Sequence, residues 1–100
     1  MRIESLYEEF LTYLAVERDC SPLTVAAYRS DAVTLKKALG DLGIAHEIQA
    51  IDRQVIRRYV VWMKDRGMSA ATIGRKINSL RSFWNYLLDN DLAEYCPCPQ

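Results

Sequence analysis

The sequence predicts an all-α fold: a compact bundle of four helices, with a short fifth element expected near residues 91–95. Three observations carry that expectation. Apolar residues recur at three- and four-residue spacing in four separate stretches, and nothing reads as a pair of strands. Helix punctuation brackets those stretches, at Ser21-Pro22, Gly40, Asp52, Gly67 and Ser69. One hundred residues, 50% of them hydrophobic, are also enough to close one core without covalent staples.

The first helix is expected from about residue 3 to about residue 18, where Ile3, Leu6, Tyr7, Phe10, Leu11 and Leu14 form one stripe. The second opens at Ser21-Pro22. Serine caps free N–H groups, and proline suits the first helical position because its missing donor is not needed there. Val25, Tyr28, Ala32, Leu35 and Leu39 make its stripe, and Gly40 is expected to stop it. Residues 40–51 read as irregular, pinned to the core by Ile44, Ile48 and Ile51. Asp52 caps a third helix with Ile56, Tyr59, Val60 and Met63 inward, ended by Gly67. Ser69 caps a fourth, buried along Ile73, Ile77, Leu80, Trp84 and Leu87. Asp89-Asn90-Asp91 loosens the chain, and Pro97 and Pro99 prevent further regular helix, so the end reads as a linker.

Composition narrows the function classes. There is no apolar run of about 18 residues to span a membrane and no basic-then-apolar secretory leader, so the expectation is an intracellular, cytoplasmic protein. Cys20, Cys96 and Cys98 are an odd set and read as free thiols. Cys96 and Cys98 around Pro97 suggest half a metal site, but His46 is the only histidine available to complete it. Net charge is zero, yet residues 53–81 carry eight basic residues (Arg53, Arg57, Arg58, Lys64, Arg66, Arg75, Lys76 and Arg81) against Asp65 alone. That segregation fits a phosphate footprint, and it equally fits a solvated basic surface.

Function should lie on helix faces that the core leaves spare. Opposite the buried line of the fourth helix lie Thr72, Arg75, Ser79 and Ser82, with Lys76 at the edge. Arginine can fork onto guanine or phosphate, and hydroxyls suit phosphate oxygens. Opposite the stripe of the second helix lie Leu23, Ala26, Ala27, Ser30, Thr34 and Lys37, a small-residue face able to approach a DNA groove or another helix. Ser21 and Ser69 begin these two helices, with Thr24 and Thr72 three residues on, where capping and phosphate contact can coexist.

The segment Ser21-Pro22-Leu23-Thr24-Val25-Ala26-Ala27-Tyr28-Arg29-Ser30-Asp31 resembles the second helix of the N-terminal SAM-like domain of phage integrases and Xer-type recombinases. Residues 68–87, from Met68-Ser69-Ala70-Ala71-Thr72 through Arg75-Lys76 to Trp84-Asn85-Tyr86-Leu87, resemble its fourth-helix segment, and residues 10–18 fit its opening. The resemblance implies a tyrosine-recombinase core-binding domain over 1–95, with 96–100 starting a linker to a catalytic domain that is absent. It further implies double-stranded DNA as partner, with the second and fourth helices in or near the major groove, and neighbouring recombinase protomers touching through this domain. By position, Thr24, Ala26, Ala27, Ser30, Thr72, Arg75 and Lys76 correspond to DNA-facing positions, and the faces above add Ser69 and Ser79. Ala26 and Ala27 lack polar reach, which points to close approach or thymine-methyl contact; Arg75 is the candidate base reader and Thr72 the candidate phosphate anchor.

No catalytic residue is expected in this chain. One histidine cannot supply the family's His-x-x-Arg motif and a second histidine, and Tyr7, Tyr28 and Tyr59 fall on apolar stripes. Tyr13, Tyr86 and Tyr95 have no arginine–histidine cluster near them in sequence. No cofactor, metal or small-molecule substrate is expected, because no paired carboxylates, glycine-rich phosphate loop or ligand cluster is present. The competing expectation is a helical protein-interaction module without DNA binding.

Overall fold

The computed structural model describes residues 1–99; Gln100, the last residue of the expected linker, lies outside them. Among the described residues there are four α-helices: α1 (Ile3–Val16), α2 (Pro22–Leu42), α3 (Arg53–Asp65) and α4 (Ala70–Asp89), with a 3-10 turn at Ile48–Ala50. The fold is all-α, as the periodicity requires. The chain divides into two compact units, Met1–Ile48 and Gln49 onward.

In the first unit α1 packs on α2. The α1 stripe buries as expected, from Ile3 to Leu14. The Phe10 ring meets Tyr28 of α2 edge-on at 5.5 Å between centroids. Outside, Arg29 reaches Glu8 at 2.7 Å, an exposed pair that contributes about 0.2–1 kcal/mol. α1 stops at Val16, before the expected end near 18, and Asp19 takes a left-handed φ of 50° as the chain turns. α2 runs through Gly40 to Leu42 instead of stopping there. Gly40 keeps helical backbone, and Gly43 supplies the left-handed residue (φ 70°) that ends the helix. The Ile44 amide then reaches back to the Leu39 carbonyl at 2.9 Å.

Glu4 ties the start of this unit to its irregular stretch. One carboxylate oxygen accepts from Arg2 at 2.9 Å and contacts His46 Nδ1 at 3.2 Å, beside an Ile3 amide bond to the His46 carbonyl. Burial raises the Glu4 pKa, but its own backbone amide, Arg2 and His46 outweigh that and hold it at about 2, against an ordinary 4.5. A depressed carboxylate stabilises the fold above its unfolded pKa, and that contribution disappears as pH falls from about 4.5 to about 2. Glu4→Gln is expected to cost on the order of 1 kcal/mol near neutrality and progressively less in acid. Urea midpoints of both proteins at neutral and acid pH measure this, and a gap that does not narrow in acid contradicts it.

In the second unit α3 packs on α4. Asp52 caps α3, accepting from the Val55 amide at 2.9 Å. Val55, Ile56, Tyr59 and Met63 are buried, whereas Val60, expected inward, is half-buried. Gly67 (φ 82°) turns the chain towards α4, and the Arg66 guanidinium lies 4.2 Å above the Trp62 ring centre. α4 buries Ile73, Ile77, Leu80, Trp84 and Leu87 as expected, and also Phe83, whose ring stands edge-on to Trp84 at 5.2 Å.

No helix forms at 91–95. Asp91 takes a left-handed φ of 57°, and the Leu92 amide closes back on the Leu87 carbonyl at 2.8 Å, so the chain reverses there. Beyond it Pro97 and Cys98 are buried. Arg81 donates to the Pro99 carbonyl and, at 2.7 Å, to Asn78 Oδ1.

Candidate nucleic-acid interface

The N-termini of α2 and α4 are built alike. The Ser21 hydroxyl oxygen accepts from the Thr24 amide at 3.2 Å and lies 3.0 Å from the Thr24 hydroxyl. Ser69 does the same for the Thr72 amide at 3.2 Å, and its hydroxyl donates to Thr72 Oγ1 at 3.0 Å. Capping therefore occupies both serines. The Thr72 O–H, which only accepts in that pair, keeps its proton for an outside acceptor.

On α2, Thr24, Ala26, Ala27 and Ser30 are all exposed. They do not form one line. Ala26 and Ser30, a turn apart, line a shallow groove of about 710 Å3 with Ala15, Cys20, Val25 and Val33. Thr24 and Ala27 lie outside that groove's lining. Leu23 is 85% exposed and Val33 59%, so this face is more apolar than a phosphate surface requires.

On α4 the expected spare face needs correction at two positions. Lys76 is 7% exposed and Ser79 6%, so neither side chain is on an open surface. Phe83 is the cause. It stands four residues after Ser79 and seven after Lys76, so burying its ring draws their line of the helix inward. The buried arc of α4 is thus much broader than the five-residue line drawn from the sequence. Arg75 stays exposed, Thr72 and Ser82 are half-buried, and Asn78 and Asn85 complete the outer surface. The Ser79 Oγ has no hydrogen-bond partner among the described residues.

Most exposed positive charge of the second unit lies on α3 and its cap. Arg53, Arg57, Arg58, Lys64 and Arg66 are all exposed there, with Asp65 the only acid of the helix. The charge count marked this stretch, but the spare-face argument did not extend to α3. Between α3 and the 96–99 segment lies a groove of about 620 Å3, with Ile56, Val60 and Val61 on one wall and Arg53 and Arg57 at it.

The three cysteines are free thiols. Burial, with Cys96 beside it, pushes the Cys98 thiol up to about 12, which keeps it protonated and unreactive. No group of three or more metal-ligating side chains occurs among the described residues, and no described helix is long and apolar enough to cross a membrane.

Comparison with known proteins agrees with this architecture. Residues 7–91 match the family described as phage integrase, N-terminal SAM-like domain. The chain is 36% identical over 97 residues to tyrosine recombinase XerC of Pediococcus pentosaceus, covering 97% of this chain and 31% of that protein. It is 38% identical over 90 residues to XerC of Yersinia pestis, covering 90% and 29%. With tyrosine recombinase XerD of Staphylococcus haemolyticus it shares 35% identity over 95 residues, covering 95% and 32%. The chain spans about a third of the length of these relatives. No solved structure matches. With the helix order and a match over most of its length, the chain belongs to the phage integrase N-terminal SAM-like domain family.

Proposed function

We propose that this chain is the core-binding domain of a tyrosine-type site-specific recombinase, covering one face of duplex DNA during integration or recombination. The observation that carries the reading is the family match over residues 7–91, supported by relatives that are tyrosine recombinases. In this reading residues 1–95 bind DNA in the cytoplasm and 96–100 begin the link to a catalytic domain elsewhere in the protein. Neighbouring protomers on the same DNA are the other partner.

The contact set on α2 is Thr24, Ala26, Ala27 and Ser30, and on α4 Ser69, Thr72 and Arg75. α2 approaches closely through small residues rather than reading bases. Thr72 offers its hydroxyl proton to a phosphate oxygen, and Arg75 forks onto a base edge. Lys76 and Ser79, buried in α4, are left out of the set.

The test is a titration of a fluorescein-labelled duplex at about 50 and 200 mM salt. Contact with about four phosphates gives a slope of log affinity on log salt near −3.6, a loss of roughly 100-fold across that range. No binding at low salt, or binding indifferent to salt, removes the reading and favours a helical protein-interaction module.

A further inference from the structure

α3 carries a straight row of charge that the contact set above does not use. At 100° per residue, Arg53, Arg57 and Lys64 fall within an arc of about 40° and run roughly 16 Å along the helix. All three are exposed, and among the described residues none has an ion pair or side-chain hydrogen bond. The buried residues Val55, Ile56, Tyr59 and Met63 lie to one side of the row, while half-buried Val60 and exposed Val61 share its face, so the row is cationic with an apolar edge. Asp65 projects on the order of 100° away from Lys64 and does not interrupt it. No acid lines the adjoining groove, whose far wall is Cys96, Pro97, Cys98 and Pro99.

The charge balance gives the row a task. α4 has three cations, Arg75, Lys76 and Arg81; Lys76 is buried, and Arg81 is half-buried and bonded to Asn78 and Pro99. With one exposed cation on α4 and Lys36 and Lys37 exposed on α2, α3 still holds the densest exposed positive charge, and each neutralised phosphate adds about 0.9 to the salt slope. A linear, unpaired row fits a linear polyanion, and duplex DNA presents a charge about every 1.7 Å of axis.

We infer that the outer face of α3, through Arg53, Arg57 and Lys64, is a sequence-independent binding surface for the phosphate backbone of duplex DNA, separate from the base-reading position Arg75. This rests on the DNA-binding reading above and adds a division of labour to it: α3 supplies attraction, α4 supplies preference.

The experiment compares the 100-residue chain with its triple variant R53A/R57A/K64A. The probes are a labelled duplex of random sequence and a duplex enriched by the wild-type protein from a random pool. All three positions are exposed, so circular dichroism and urea midpoints should coincide with wild type. The expected result is a salt slope shallower by about 2–3 on both duplexes, with the enriched-to-random affinity ratio unchanged within about twofold. R53K/R57K should keep the wild-type slope, because a point charge suffices for phosphate. If wild type binds and the triple variant keeps its slope, the inference is overturned and the row is left to an acidic protein partner. A lysine variant with the triple variant's slope also overturns it, since geometry rather than charge would then be at work. If wild type fails to bind at low salt, the DNA-binding reading falls first and this inference with it.

Discussion

Trp84→Ala is expected to lower the unfolding free energy by about 3–5 kcal/mol, the largest loss available from one side chain of the second unit. Trp84 is 1% exposed and meets Phe83 edge-on, with Leu80 and Leu87 buried one turn to either side of it. Truncation removes the transfer free energy of the indole and leaves a void that a rigid helix face cannot fill. Against a domain stability of about 5–15 kcal/mol, a loss of that size brings the melting temperature down by roughly 12 °C or more. Trp62 remains as the single tryptophan reporter, since the chain has two tryptophans. Leu23→Ala, at a position 85% exposed, is the matched control and should shift stability by less than about 0.5 kcal/mol. Urea unfolding followed by Trp62 emission and by circular dichroism decides it. A Trp84→Ala loss below about 1 kcal/mol would mean that this packing is not what holds α4.

The second large effect is on recognition. Arg75→Ala is expected to reduce preference for an enriched duplex over a random one by about 5- to 150-fold, the 1–3 kcal/mol of one forked arginine–guanine contact. Arg75 is the one α4 cation that is exposed, and Gly74 beside it adds no side chain. Arg75→Lys separates fork from charge: the salt slope should survive while the preference is lost. Competition between the two duplexes measures both quantities. Equal weakening on enriched and random DNA after Arg75→Ala would assign the residue to phosphate instead.

The helices were legible because their signals were redundant. For α3, a capping Asp52, an apolar stripe and Gly67 all gave the same limits. Where a single signal stood alone it misled. Gly40 reads as a stop, yet a glycine with helical φ is no terminator, and the residue that takes the left-handed turn is Gly43. The 91–95 segment has apolar and acidic residues suited to a turn of helix, but Asp91 turns the backbone first.

The candidate site was half legible for a similar reason. Caps are local, so Ser69 and Thr72 could be placed from sequence, and their hydrogen bonds are as expected. Exposure is not local. Lys76 and Ser79 read as spare only while Phe83 was omitted from the buried stripe, and a helix wheel alone cannot say how wide that stripe will be. The α3 row was visible in the charge count, and its alignment follows from separations of four and eleven residues once the segment is helical.

The grip of Arg81 on the Pro99 carbonyl, with Pro97 and Cys98 sunk beneath the surface, ties the segment up to Pro99 back to α4. Proline at 97 and 99 stiffens the intervening stretch further. A tether to any following segment would therefore be counted from that anchor rather than from the end of α4. A shorter tether raises the local concentration of whatever it carries. Releasing Arg81 would lengthen that tether, and Arg81 stands outside the contact set proposed for DNA.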